Sequence, residues 1–193
     1  MRISRAICLL GLPVLAGLCP AKEELLPLYG QDRVAIEVPE DWNYASRQDD
    51  GLVSAQLSDQ GRQVSLQITF FPDPEGRMAD VENQTALMGD LAMEYIEGSV
   101  EKAAKLEPLK PRRGSGLFCV FTDAKLAGKT ELPPNEYRHA TAGIRSSAGW
   151  FAAFTLLSQD TTSPAYRRAL GLLRTSLQPT TSGAKRVRDP LAF

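Results

Sequence analysis

The chain has 193 residues, 43% hydrophobic and 23% charged, with a formal net charge of -1. That balance suits one globular domain with its own core and gives no sign of the clustered basic face that nucleic-acid binding selects for. No nucleic-acid partner is expected.

The first 21 residues read as a secretory signal. Arg2 and Arg5 precede an apolar run over residues 6–18, and Cys19-Pro20-Ala21 offers small residues for signal peptidase. Pro13 interrupts the run, which falls short of the roughly 20 residues that a spanning helix needs. Lipidation at Cys19 is the rival reading, which Leu18 before that cysteine disfavours. Removal of the signal takes two arginines and no acid, so 20 basic and 23 acidic side chains remain, a net of -3. Only Cys119 survives it, which rules out an internal disulfide in an oxidising compartment. A single domain over residues 22–177 follows, then a tail over 178–193 whose turn formers and basic residues (Lys185, Arg186, Arg188) predict flexibility.

Residues 22–32 read as a lead-in. In "RVAIEVPEDWNY" (residues 33–44), Val34, Ile36 and Val38 alternate as a half-buried strand does; Pro39 ends it and a turn returns Trp42 to the core. "GLVSAQLS" and "VSLQITFF", joined by a glycine-containing turn, read as a hairpin. A helix is expected from Val81, capped by Asp80, with its apolar stripe through Met88, Leu91, Ala92, Tyr95 and Ile96, extended by Val100 and Ala103. Leu106 and Leu109 mark a short, proline-bearing edge strand, followed by a turn over 112–116 and an apolar strand over 117–122. Residues 137–147 and 150–157 form a long hairpin. The last helix starts with Ser163 as cap and Pro164 at its first position, and turns Tyr166, Ala169, Leu170, Leu173 and Leu177 one way. Hairpins dominate and no βαβ alternation is present, so the fold class is α+β: one antiparallel sheet flanked by helices.

The order of these elements resembles the PsbP-like family, the α/β/α sandwich of the photosystem II extrinsic subunit, shared with a yeast Ran-binding import factor. The features that carry the likeness are "VAIEVPEDW", the hairpin through "VSLQITFF", the mid-chain helix, "LEPLKPRRGSGLFCVF", the paired strands up to "FAAFTLL" and the closing "YRRALGLLRTSL". Membership implies the sandwich fold and a mostly non-catalytic role as a binding or assembly module. No residue matches that would carry over photosystem or Ran binding.

Chemistry-bearing motifs are sparse. His139 is the single histidine, and a Ser-His-Asp arrangement would pair it with a serine such as Ser115 in "RRGSG". Arg112 stands where a nucleophile elbow needs glycine, so a hairpin turn is the preferred reading. Arg112 and Arg113 beside flexible backbone could hold an anion, but the lysine of a phosphate loop is missing. Asp73, Glu75 and Asp80 fit no calcium loop, and one histidine with one cysteine builds no zinc site. No cofactor or metal is expected. Cys119 in "LFCVF" reads as an inert core residue.

The expectation is an exported, non-enzymatic module of the cell envelope, periplasmic or secreted, with an unidentified protein partner. Trp42, Arg112, Arg113, Tyr137 and His139 are its candidate contacts. The alternative is a small-ligand carrier with a pocket between sheet and helix near Tyr137 and Trp42; an exported hydrolase comes third.

Overall fold

The computed structural model describes residues 21–28 and 32–181. In chain order the elements are β1 (Ala21–Pro27), β2 (Asp32–Pro39), β3 (Trp42–Asp49), β4 (Leu52–Asp59), β5 (Val64–Asp73), a 3-10 turn (Arg77–Ala79), α1 (Val81–Ile96), β6 (Glu107–Pro108), β7 (Ser115–Thr122), β8 (His139–Ser147), β9 (Gly149–Ser158), α2 (Pro164–Thr175) and β10 (Gln178–Thr181). The fold is a sheet-dominated α+β arrangement in which all strand pairs are antiparallel.

The strands form two sheets where the sequence led us to expect one. Seven run in the order β3-β4-β5-β9-β8-β7-β6, and three in the order β1-β2-β10. The opening run Val34–Ile36–Val38 is the middle strand of the small sheet, not part of the large one. Alternation identifies a strand; it does not say which sheet the strand joins. Two further corrections concern β1 and β10. The supposed lead-in pairs with β2 from Ala21↔Pro39 to Pro27↔Arg33. Gln178–Thr181, assigned to a flexible tail, pairs with β2 on its other side. The signal-peptide reading of residues 1–20 and the remainder of the tail, 182–193, lie outside the described residues.

Two cores lie against the large sheet, one on each face. On one side α2 and the small sheet bury Leu26, Val34, Ile36, Leu66, Phe154 and Leu173 in a shared cluster. On the other, Met88 and Ala92 of α1 pack on Cys119, Phe121, Ala142 and Ile144. Both helices begin as the sequence implied. The Asp80 carboxylate accepts from Glu82 N and Asn83 N, and Ser163 Oγ accepts from Tyr166 N at 3.1 Å. The α1 stripe stops sooner than expected: the helix ends at Ile96, and Val100 is 54% exposed. Gly98, a poor helix former, lies just past the end, and Ser99 bridges to Asp123 instead. Glycine is required where strands approach closely, most tightly at two positions. A Cβ on Gly143 would sit 2.2 Å from Phe154 Cζ, and one on Gly114, whose φ is +79°, 1.9 Å from Ser146 O.

Candidate functional site

α1 covers only part of its face of the large sheet. It packs on β7 and β8, and the same face of β3, β4 and β5 carries no element above it among the described residues. The cross-strand registers fix what that open half presents. Ser54 lies opposite Thr69, Gln56 opposite Gln67, and Ser58 opposite Ser65. On β9, Leu157, Thr155, Ala153 and Phe151 continue the same face.

Four depressions run together over this surface. One, of about 260 Å³, lies between the end of α1 (Glu94, Tyr95) and the sheet, with Tyr137 and Arg138 on its rim. A second, of about 200 Å³, shares Glu94 and Tyr95 and reaches Gln67 and Thr69. The third, of about 250 Å³, shares Gln67 and crosses Ser54 and Gln56 to Arg47 on β3. The fourth, of about 330 Å³, shares Ala45 and Gln56 and comes back to Tyr137 past Ser58 and Ser65. Shared linings make them one trough, walled by α1 and closed at one end by the segment before β8.

Packing holds the trough's aromatic side chains. The Tyr95 ring stacks on Phe121 at 5.5 Å and its hydroxyl lies 3.3 Å from Thr155 Oγ1. Phe71 and Phe151 stack at 4.9 Å. Ser54 Oγ and Thr69 Oγ1 share a hydrogen bond of 3.0 Å. Partial burial raises the Tyr137 hydroxyl above the ordinary tyrosine range, against a hydrogen bond with Ser65 that lowers it.

Of the five residues singled out from sequence, Tyr137 alone lines this trough. Trp42 is 7% exposed and belongs to the core on the α2 side, so it shares no pocket with Tyr137. Arg112 and Arg113 are exposed ahead of β7, and Arg112 N donates to Arg174 O at 3.0 Å. His139 is half-buried on the α2 face, with Nδ1 3.2 Å from Thr122 Oγ1. Burial, then the neighbouring Arg138, depresses its pKa.

The Ser115–His139 pairing has no geometric basis. Ser115 stands opposite Ser146 at one end of the β7–β8 ladder, and His139 opposite Thr122 at the other. Seven strand positions separate them, about 23 Å at the usual rise. The acids of the segment before α1 are occupied by local structure. Asp73 accepts from Arg77 N and Met78 N, each at 2.9 Å, while Glu75 pairs with Arg77. Cys119 is fully buried and burial pushes its thiol up to about 11, the inert core role expected of it.

Two features escaped the sequence reading. The neutral polar side chains of the trough belong to no motif. Arg145 is the other: it is 1% exposed, its Nη2 donates to Leu177 O at 2.6 Å, and its guanidinium lies 5.7 Å from the Trp150 ring centroid. Its Nε and Nη1 have no partner, nor has Trp150 Nε1. "GIRSS" reads as an ordinary polar strand, with nothing to announce a buried cation.

No family model, curated protein or solved structure matches the chain. Among the described residues no helix is long and apolar enough to cross a membrane.

Proposed function

We propose that the chain is an exported, non-enzymatic binding module of the cell envelope, and that its ligand seat is the trough between α1 and the open half of the large sheet. The half-covered face carries this reading. α1 shelters β7 and β8 and leaves the hydrogen-bonding side chains of β4 and β5 open beside it, walled by Tyr95 and ended by Tyr137. Concave sites with a few convergent polar groups beside aromatic ones are the usual form of a ligand seat. This favours the carrier alternative drawn from sequence and keeps its helix–sheet pocket, now without Trp42. A helix on each face of the sheet supports the PsbP-like resemblance, and with it a module that works by association. Export rests on the pattern of the first 21 residues.

The test is a thermal-shift survey of the purified chain against amino acids, peptides, nucleotides and oligosaccharides. A ligand that binds only the folded form raises Tm. The expected result is a rise with one class that Gln67→Arg removes. A flat response to every class overturns the reading.

A protein partner remains the second reading, and the outer edge of β3 favours it. Among the described residues Trp42–Asp49 pairs with β4 alone, and its other side offers backbone donors and acceptors for strand addition. Gln67→Arg separates the two readings, since it blocks the trough and leaves that edge intact.

A further inference from the structure

The floor of the trough lacks charge. On β4 the positions that face it are Leu52, Ser54, Gln56 and Ser58; on β5 they are Ser65, Gln67, Thr69 and Phe71. β9 adds Phe151, Ala153, Thr155 and Leu157. None of these ionises, in a chain whose side chains are 23% charged. A face merely left to water ordinarily mixes both signs of charge across it. Here charged groups stand at the margins: Arg47 and Asp49 on the outer strand, Arg62 in the turn after β4, Glu94 on α1, and Asp123 and Arg138 towards the closed end.

That pattern selects a ligand class. A polyanion needs cations along its track, and the floor has none. A lipid chain needs an apolar floor, and Gln56 and Gln67 are exposed at its centre. A charged peptide would find partners for its ionic groups at the margins alone and none along the floor. Serine and threonine hydroxyls and glutamine amides each both donate and accept. They match a ligand whose own polar groups are hydroxyls with the same dual capacity. The rings of Tyr95 and Tyr137 add amphipathic surfaces, apolar on the face and polar at the tip, on which the C–H face of a sugar ring can pack. Ser65 to Phe71 spans six residue steps, about 20 Å of strand, room for a chain of rings instead of one.

We propose that the trough binds a neutral oligosaccharide, with Gln56, Gln67 and Thr69 hydrogen-bonding its hydroxyls and Tyr95 and Tyr137 packing on its rings. This rests on the trough being the ligand seat and names what it takes.

The experiment follows the amide NMR spectrum of the full chain during titration with cellohexaose, chitohexaose and maltohexaose. An acidic oligogalacturonide and a neutral hexapeptide serve as controls. Each probe is taken to about 10 mM, enough to reveal a millimolar Kd. The expected result is saturable shifts at Gln56, Gln67, Thr69, Tyr95 and Tyr137 with at least one neutral hexasaccharide. Gln67→Arg should weaken that binding at least roughly tenfold, a change of about 1.4 kcal/mol. Arg113→Ala, exposed ahead of β7 and outside the trough, should retain it, and an amide spectrum of Gln67→Arg as dispersed as that of the unmutated chain shows that its fold is intact. Hexasaccharide shifts outside the trough, or shifts unaffected by Gln67→Arg, overturn the assignment. If only the hexapeptide or the acidic sugar moves the trough amides, the seat stands and the neutral-sugar assignment falls. If no probe moves them, both fall.

Discussion

Burying Arg145 takes a cation out of water at a point where its one hydrogen-bond acceptor is the Leu177 carbonyl. The Trp150 ring beneath it returns part of that cost, since a cation over an aromatic face is attracted to it. Burial draws its pKa down to about 10. A folded state that resists protonation carries the full penalty below that pH, and the penalty eases as pH rises through it. Buried ionic groups are often replaced by apolar side chains at no loss. Arg145→Met keeps the length and removes the charge. It is expected to raise stability by about 1–2 kcal/mol, read as a higher denaturant midpoint at unchanged slope. A lower midpoint would show that the Leu177 and Trp150 contacts outweigh desolvation. Nothing in "GIRSS" marks this residue, because exposure is a property of what packs over a strand and not of the strand itself.

At the scale of elements, β10 is the piece whose role is most easily tested. Gln178–Thr181 supplies one of the two ladders of β2, and it follows directly on the buried Leu177 whose carbonyl meets Arg145. A chain ending at Gln178 keeps the α2 core and the Leu177 peptide carbonyl and loses most of that ladder. It is expected to be less stable by about 1–3 kcal/mol, from a few hydrogen bonds at roughly 1 kcal/mol each. Chemical denaturation of the truncated chain measures it, and an unchanged midpoint would mean that β10 contributes nothing. "QPTT" holds no apolar alternation, so only its partner makes it a strand. β3 is a different case. "WNYASRQD" is largely exposed and was not among the expected strands; the loop after it, with Asp50 and Gly51 at φ of 47° and 79°, is the two-residue hairpin turn that Asp-Gly prefers. The helices were legible from their caps, and β4 and β5 from strict alternation. Of the trough, Tyr137 was readable as an aromatic beside a loop. Gln56 and Gln67 were not, since neutral polar residues carry no spacing signature, and the stripe that caught Tyr95 marked it for the core and not for a site.

Across the whole molecule, one large sheet separates two cores, and its strands β7 and β9 have side chains in both. Neither core can melt without disturbing a layer that the other needs. Met88 and Leu173, each 0% exposed, lie on opposite faces. Met88→Ala and Leu173→Ala are each expected to cost about 2–5 kcal/mol and to lower the midpoint of one shared transition. Two separate transitions, each moved by one substitution, would contradict a common folding unit.

The sequence by itself determined most of the local vocabulary: strands from period-two alternation, helices from a stripe and a capping residue, an unreactive cysteine from its apolar neighbours. These depend on side chains a few positions apart, and such spacing is written in the chain. Tertiary structure decided the rest. It placed β2 in a sheet of its own, set β5 beside β9 although Val64 pairs with Ser158, and drew α1 over one half of a face while leaving the other open. Those outcomes are competitions between distant segments for the same hydrogen-bonding edges and apolar surface, and no local pattern records which segment wins.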